Sequence, residues 1–120
     1  MILTKKDKDF INKNYTAVLT TCDLKNKPNS IFVEICKVEG DDKIIITDNE
    51  MKSTRKNLQE NYNVCLLFND KKYNVIKIFG KAEYLKSGKY FDYVKNLKDN
   101  IEHNPKAAIV VKVLKIVESK

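Results

Sequence analysis

The sequence predicts a mainly β fold: a closed or nearly closed six-stranded antiparallel barrel with short helices at its margins. Three observations carry this. Six runs rich in β-branched residues are spread over 120 residues, most of them joined in hairpin succession by short turn signals. The helical patterns are short and fall at the start, middle and end of the strand series. Gly80 lies inside the longest strand pattern, where a barrel needs a sharp bend.

The elements read in order as follows. Thr4 to Lys13 is a short helix, with Thr4 as N-cap, Asp7 three residues on, and Phe10 and Ile11 on one side. Tyr15 to Cys22 is a strand, followed by the turn Asp23-Leu24-Lys25-Asn26-Lys27-Pro28. From Asn29 to Glu39, Ile31, Val33 and Ile35 alternate with Phe32, Glu34 and Cys36, the period of a two-faced strand. Gly40-Asp41-Asp42 turns the chain into the strand Lys43–Thr47, making a hairpin. A helix over Ser53 to Asn61 is anchored by Leu58. Strands Val64–Phe68 and Tyr73–Leu85 are joined through Asn69-Asp70-Lys71-Lys72. Gly88 to Asn100 has Tyr90, Phe91, Val94 and Leu97 at helical spacing, and Ala107 to Val117 closes the series as a strand. One domain over residues 1–120 accommodates all of this, with no repeat, linker or low-complexity tract.

Composition excludes several classes. Hydrophobic residues are 42% and charged residues 32%, the balance of a globular chain rather than a membrane or disordered one. No apolar run approaches the roughly 20 residues that span a bilayer, and the N-terminus lacks a secretory signal, so a cytoplasmic location is expected. The net charge of +7 comes from lysines scattered from Lys5 to Lys120, without the clustered stripe of a nucleic-acid binder. Cys22, Cys36 and Cys65 are far apart and each sits in an apolar strand, which reads as buried thiol rather than disulfide or zinc ligand. The single histidine, His103, lies in the loop signal Glu102-His103-Asn104-Pro105, and no nucleophile is marked beside it.

The stretch from Ile44 to Asn61 holds the one chemical signal. Hydroxyls and cations, Lys52-Ser53-Thr54-Arg55-Lys56, gather where a helix begins, its first amides lack partners and its dipole is positive. That suits a phosphate group. It equally suits an ordinary N-cap, since Ser and Thr open many helices. Gly40, Gly80 and Gly88 are too widely separated for a dinucleotide turn or a P-loop, so any phosphate must be held by side chains and the helix start.

An ordered series of segments resembles the pyridoxamine 5′-phosphate oxidase-like flavoproteins from Tyr15 to about Val117. It comprises Tyr15-Thr16-Ala17-Val18-Leu19-Thr20-Thr21, then Lys27-Pro28-Asn29-Ser30, then Gly40-Asp41-Asp42-Lys43-Ile44-Ile45-Ile46-Thr47-Asp48. Met51-Lys52-Ser53-Thr54-Arg55-Lys56-Asn57-Leu58, Asn63-Val64 and Ile78-Phe79-Gly80-Lys81-Ala82-Glu83-Tyr84 complete it. The resemblance is to the small, single-domain FMN-binding members. It implies the six-stranded FMN-binding split β-barrel, a homodimer with FMN at its interface, and a phosphate held at Lys52, Ser53 and Thr54, with Asn57 one turn further on. It maps the second-strand segment along the flavin and ribityl chain onto Asn29, Ser30 and Ile31, and the end of the third strand onto Ile46, Thr47 and Asp48. Two departures stand out. Small members carry Lys-Thr where this chain has Ser53-Thr54, with its lysine one place earlier, and the oxidase proper carries Arg-Lys there. The oxidase's C-terminal substrate-binding segment, with its Arg and His, has no counterpart after Val117, which turns the expectation away from oxidation of pyridoxine phosphates.

The expected function is therefore that of an FMN-dependent oxidoreductase passing electrons from a reduced nicotinamide to a small acceptor, with no catalytic side chain of its own and no metal. Asn29 or Ser30 would donate to the reduced ring. Two other classes fit the same residues: a non-catalytic carrier of FMN, haem or deazaflavin, and a bare basic interaction domain whose phosphate site is only a helix cap. Phe32 and Phe79, on the non-barrel face, are the expected dimer contacts. Tyr62, Tyr73 and Tyr90 are expected in core or dimer surface rather than stacked on a ring.

Overall fold

The computed structural model describes residues 2–119. Helix α1 (Lys5–Lys13) precedes β1 (Thr16–Cys22), β2 (Pro28–Glu39) and β3 (Lys43–Asp48). Helix α2 (Ser53–Glu60), β4 (Asn63–Asn69), β5 (Val75–Leu85), α3 (Lys89–Lys95), a 3₁₀ turn (Lys98–His103) and β6 (Ala107–Ser119) follow. The six strands close into an antiparallel barrel in the order β1-β2-β3-β6-β5-β4.

Alternation decides what fills it. Ala17 and Leu19 of β1, Leu66 and Phe68 of β4, and Ile76, Ile78 and Ala82 of β5 point inward, with Lys77, Phe79 and Lys81 outside. β3 and the first half of β6 break the alternation because both their faces are covered. Ile44, Ile46, Ile109 and Val111 face the barrel, while Ile45, Ala108 and Val110 pack outside against Val94 of α3. Helix α1 is held by the expected capping box: Asp7 N–H donates to Thr4 Oγ1 at 3.1 Å and Thr4 N–H to Asp7 Oδ2 at 3.0 Å. Leu3 and Ile11 then reach the main core.

Several local expectations change. The expected helix Gly88–Asn100 ends at Lys95, where Asn100 Nδ2 donates to Val94 O at 2.9 Å in place of the next helical amide. Leu97 is extended there, and the chain continues as the 3₁₀ turn. Tyr73 belongs to the β4–β5 turn, with φ +62°, rather than to β5. A bulge between Ile35 and Lys37 lets Ile35 and Val38 both pack on the core while Cys36 joins the outer cluster. The three cysteines are half-buried rather than buried. Gly80 does mark an irregularity in β5, but its φ is not in the left-handed region. A Cβ there would lie 2.4 Å from Lys112 O, so the requirement is close approach of two strands.

Candidate functional site

A cleft of about 930 Å³ opens along β2, between it, the β3–α2 connection and the 3₁₀ turn. Its volume lies within the range of small-molecule and cofactor sites, about 300–1,000 Å³. β2 forms one wall from Asn29 to Cys36. Thr47 and the segment Asn49–Thr54 form the second, and Leu97–Asn100 with His103 form the far end.

At one end stands the start of α2. Lys52 occupies the N-cap position in the αR region and makes no side-chain cap, and the first turn carries no acidic residue. Neither Ser53 nor Thr54 caps the helix, so the first amides of α2 have no side-chain acceptor among the described residues. Lys52 and Ser53 are exposed and line the cleft. Thr54 is buried, with its Oγ1 accepting from Asn29 Nδ2 at 3.3 Å, a contact that joins β2 to α2 at the cleft floor. The Thr54 hydroxyl still has a proton to donate. Backbone amides, a cation and hydroxyls thus converge where the helix dipole is positive, the donor set an anion requires.

The other end is a polar network. Asn100 Nδ2 donates to Thr47 Oγ1 at 3.0 Å, and Thr47 Oγ1 lies 3.0 Å from Cys36 Sγ. Burial pushes the Cys36 thiol up from its ordinary value, against the opposing effect of Thr47 and Asn100, which keeps it protonated at neutral pH. His103 stands exposed at the rim.

Of the ten residues singled out from the sequence, Asn29, Ile31, Thr47, Lys52, Ser53 and Thr54 line this cleft. Four point elsewhere. Ser30 is on the outer surface, paired with Thr20 Oγ1 at 2.8 Å. Ile46 is in the barrel core. Asn57 is buried under α2, donating to Thr21 Oγ1 at 3.1 Å. Asp48 is wholly buried, and its carboxylate accepts from Met51 N–H at 2.8 Å, Arg55 Nε at 2.7 Å, Arg55 Nη2 at 3.2 Å and the Tyr84 hydroxyl. Burial alone would raise the Asp48 carboxyl; Arg55, Tyr84 and the Met51 amide outweigh it and hold it below its ordinary value. Burial and the Asp48 carboxylate push the Tyr84 phenol up to about 12.

Sequence reading passed over Tyr15, Glu34, Asn49 and Asn100, which also form the wall. The Asn96/Asn100 pair inside an apparent helix was the available signal, since asparagine bonds backbone carbonyls and ends helices.

The pyridoxamine 5′-phosphate oxidase family matches this chain over residues 3–117. An uncharacterised protein of Methanocaldococcus jannaschii is 32% identical over 114 residues, spanning 90% of this chain and 75% of that one. Among solved structures, Group A Streptococcus HupZ superposes with a TM-score of 0.86 at 27% identity, covering 98% of this chain and 94% of the other. An FMN-binding protein from Syntrophomonas wolfei subsp. wolfei superposes with a TM-score of 0.77 at 26% identity, covering 94% and 83%.

Proposed function

We propose that this chain, which belongs to the pyridoxamine 5′-phosphate oxidase family, binds FMN in the cleft between β2 and α2 and works as a flavin-dependent oxidoreductase. The observation that carries the binding reading is the uncapped start of α2, where Lys52, Ser53 and Thr54 meet Asn29. The similarity to an FMN-binding protein of S. wolfei supports it.

FMN, when bound, supplies the electron-transfer chemistry through its isoalloxazine ring. The chain's own part is placement. Lys52 and the α2 amides hold the phosphate, which carries nearly two charges, and a charge-assisted contact there is worth about 1.5–3 kcal/mol. Asn29 and Ile31 set the cofactor along β2, and Thr47 with Asn100 offers a fixed polar edge at the far end. A reduced nicotinamide docking transiently on the open side of the cleft, guided by surface lysines, would reduce the FMN, and the reduced FMN would in turn supply a small acceptor. Phe32, at 81% exposure on the cleft edge, is the surface that a second copy of the chain would cover.

Visible absorbance and an anaerobic mixing experiment test this in order. Protein titrated with FMN should quench flavin fluorescence at a stoichiometry of one per chain. NADH or NADPH should then bleach the visible flavin band. Bleaching by dithionite but by neither nicotinamide would make the protein a carrier. A haem spectrum from protein isolated with its native ligand, together with no FMN binding, would overturn the flavin assignment.

A further inference from the structure

We infer that Tyr84, through Asp48, is a positioning residue that shapes the phosphate-binding connection between β3 and α2, an inference that rests on the FMN reading of the cleft. Neither Tyr84, Asp48 nor Arg55 lines the cleft. Their effect on it passes through the Met51 amide, which donates to Asp48 Oδ1 at 2.8 Å, and through the Asp48–Arg55 charge balance.

The geometry follows from where Asp48 points. It closes β3, wholly buried, four residues before Lys52, the N-cap of α2. Its carboxylate holds the connection at Met51 and supplies no cap to α2, whose start has no side-chain cap among the described residues. The carboxylate is fixed by two anchors that meet at its Oδ2. Arg55, one turn into α2, donates two N–H groups to it, and Tyr84, near the end of β5, donates its hydroxyl. The Tyr84 ring is itself packed on the barrel core, so the anchor is rigid. Two consequences reach the cleft. The first amides of α2 remain open to an external anion, and the negative charge of Asp48 is balanced by Arg55 before it can repel a phosphate.

Tyr84→Phe removes one hydroxyl and leaves the ring in place. Titrated with FMN and with riboflavin, this variant should bind FMN about three- to tenfold more weakly, the effect of one lost hydrogen bond, with riboflavin affinity unchanged. Arg55→Lys, which keeps the charge but not the paired donors, should lower the FMN preference in the same sense. A purely structural role for the trio would weaken both ligands equally, or lower the melting temperature with the preference intact; either result overturns the inference. If the wild type itself fails to prefer FMN over riboflavin, the phosphate reading falls and takes this inference with it. If the wild-type preference is present and survives both substitutions, the FMN reading stands and only the positioning role is lost.

Discussion

Asn57 of α2 donates its side-chain amide to Thr21 Oγ1 of β1 across 3.1 Å, and both side chains are buried, at 6% and 1% exposure. This polar contact sits beside Leu58 and fastens the helix to the barrel wall. Asn57→Ala should cost about 1–3 kcal/mol, the range for a buried hydrogen bond lost with one partner left behind. Urea unfolding followed by circular dichroism measures it; an unchanged midpoint would show that Thr21 finds another partner.

Lys52 is exposed at the cleft and forms no ion pair among the described residues. Lys52→Ala should weaken FMN about tenfold and leave riboflavin, which lacks the phosphate, nearly unaffected. Fluorescence titration reads both constants, and equal losses for the two ligands would place the lysine away from the phosphate.

Asp48 gives the fold an acid limit. Its carboxyl in the fold lies below the 3.8 of free aspartate, so the ionised form is the one the fold favours. The stability this contributes is complete above that free value and is lost as pH falls through the folded value. Asp48→Asn should therefore cost about 2–3 kcal/mol at neutral pH, moderated because the Arg55 side chain is 34% exposed. The gap between wild type and variant should narrow by about pH 3. Denaturant midpoints at the two pH values decide it, and a constant gap would mean that Asp48 titrates alike in folded and unfolded chains.

Gly80 has no room for a side chain. An added Cβ would meet Lys112 O at 2.4 Å and Val111 Cγ1 at 2.9 Å, atoms of the neighbouring strand. Gly80→Ala should destabilise by about 1–3 kcal/mol through forced separation of β5 and β6. A melting temperature equal to that of wild type would show that the bulge absorbs the methyl group.

A second copy of the chain should cover the β1–β2–β4 face, where Phe32, Val18 and Leu67 form a continuous cross-strand row. Sedimentation of the flavin-loaded protein should give twice the 13.9 kDa of one chain, and Phe32→Glu should shift it toward monomer. A monomeric wild type with FMN fully bound would remove the interface from the proposed site.

Element identity was legible because it depends on local periodicity. The Thr4–Asp7 capping box, the Gly40 turn with its φ of +62° and the strand ending at Leu85 all stand where composition and spacing put them. The cluster Lys52-Ser53-Thr54 was visible for the same reason, as cations and hydroxyls at a helix start.

Chain sequence by itself determined the six strands, their hairpin order and the cluster of cations and hydroxyls at the start of α2. Only the tertiary structure decided which polar residues face the cleft. Asp48 and Asn57 are as polar as Asn29, yet the barrel turns the first two toward Arg55, Tyr84 and Thr21 and leaves Asn29 at the cleft. The physical reason is that a buried polar group must find a partner, and the side-chain partners here lie seven to thirty-six positions away in the chain. Packing likewise ended α3 early and carried Asn100 to Thr47, fifty-three residues distant, because the Asn100 side-chain amide bonds the Val94 carbonyl that a longer helix would have used.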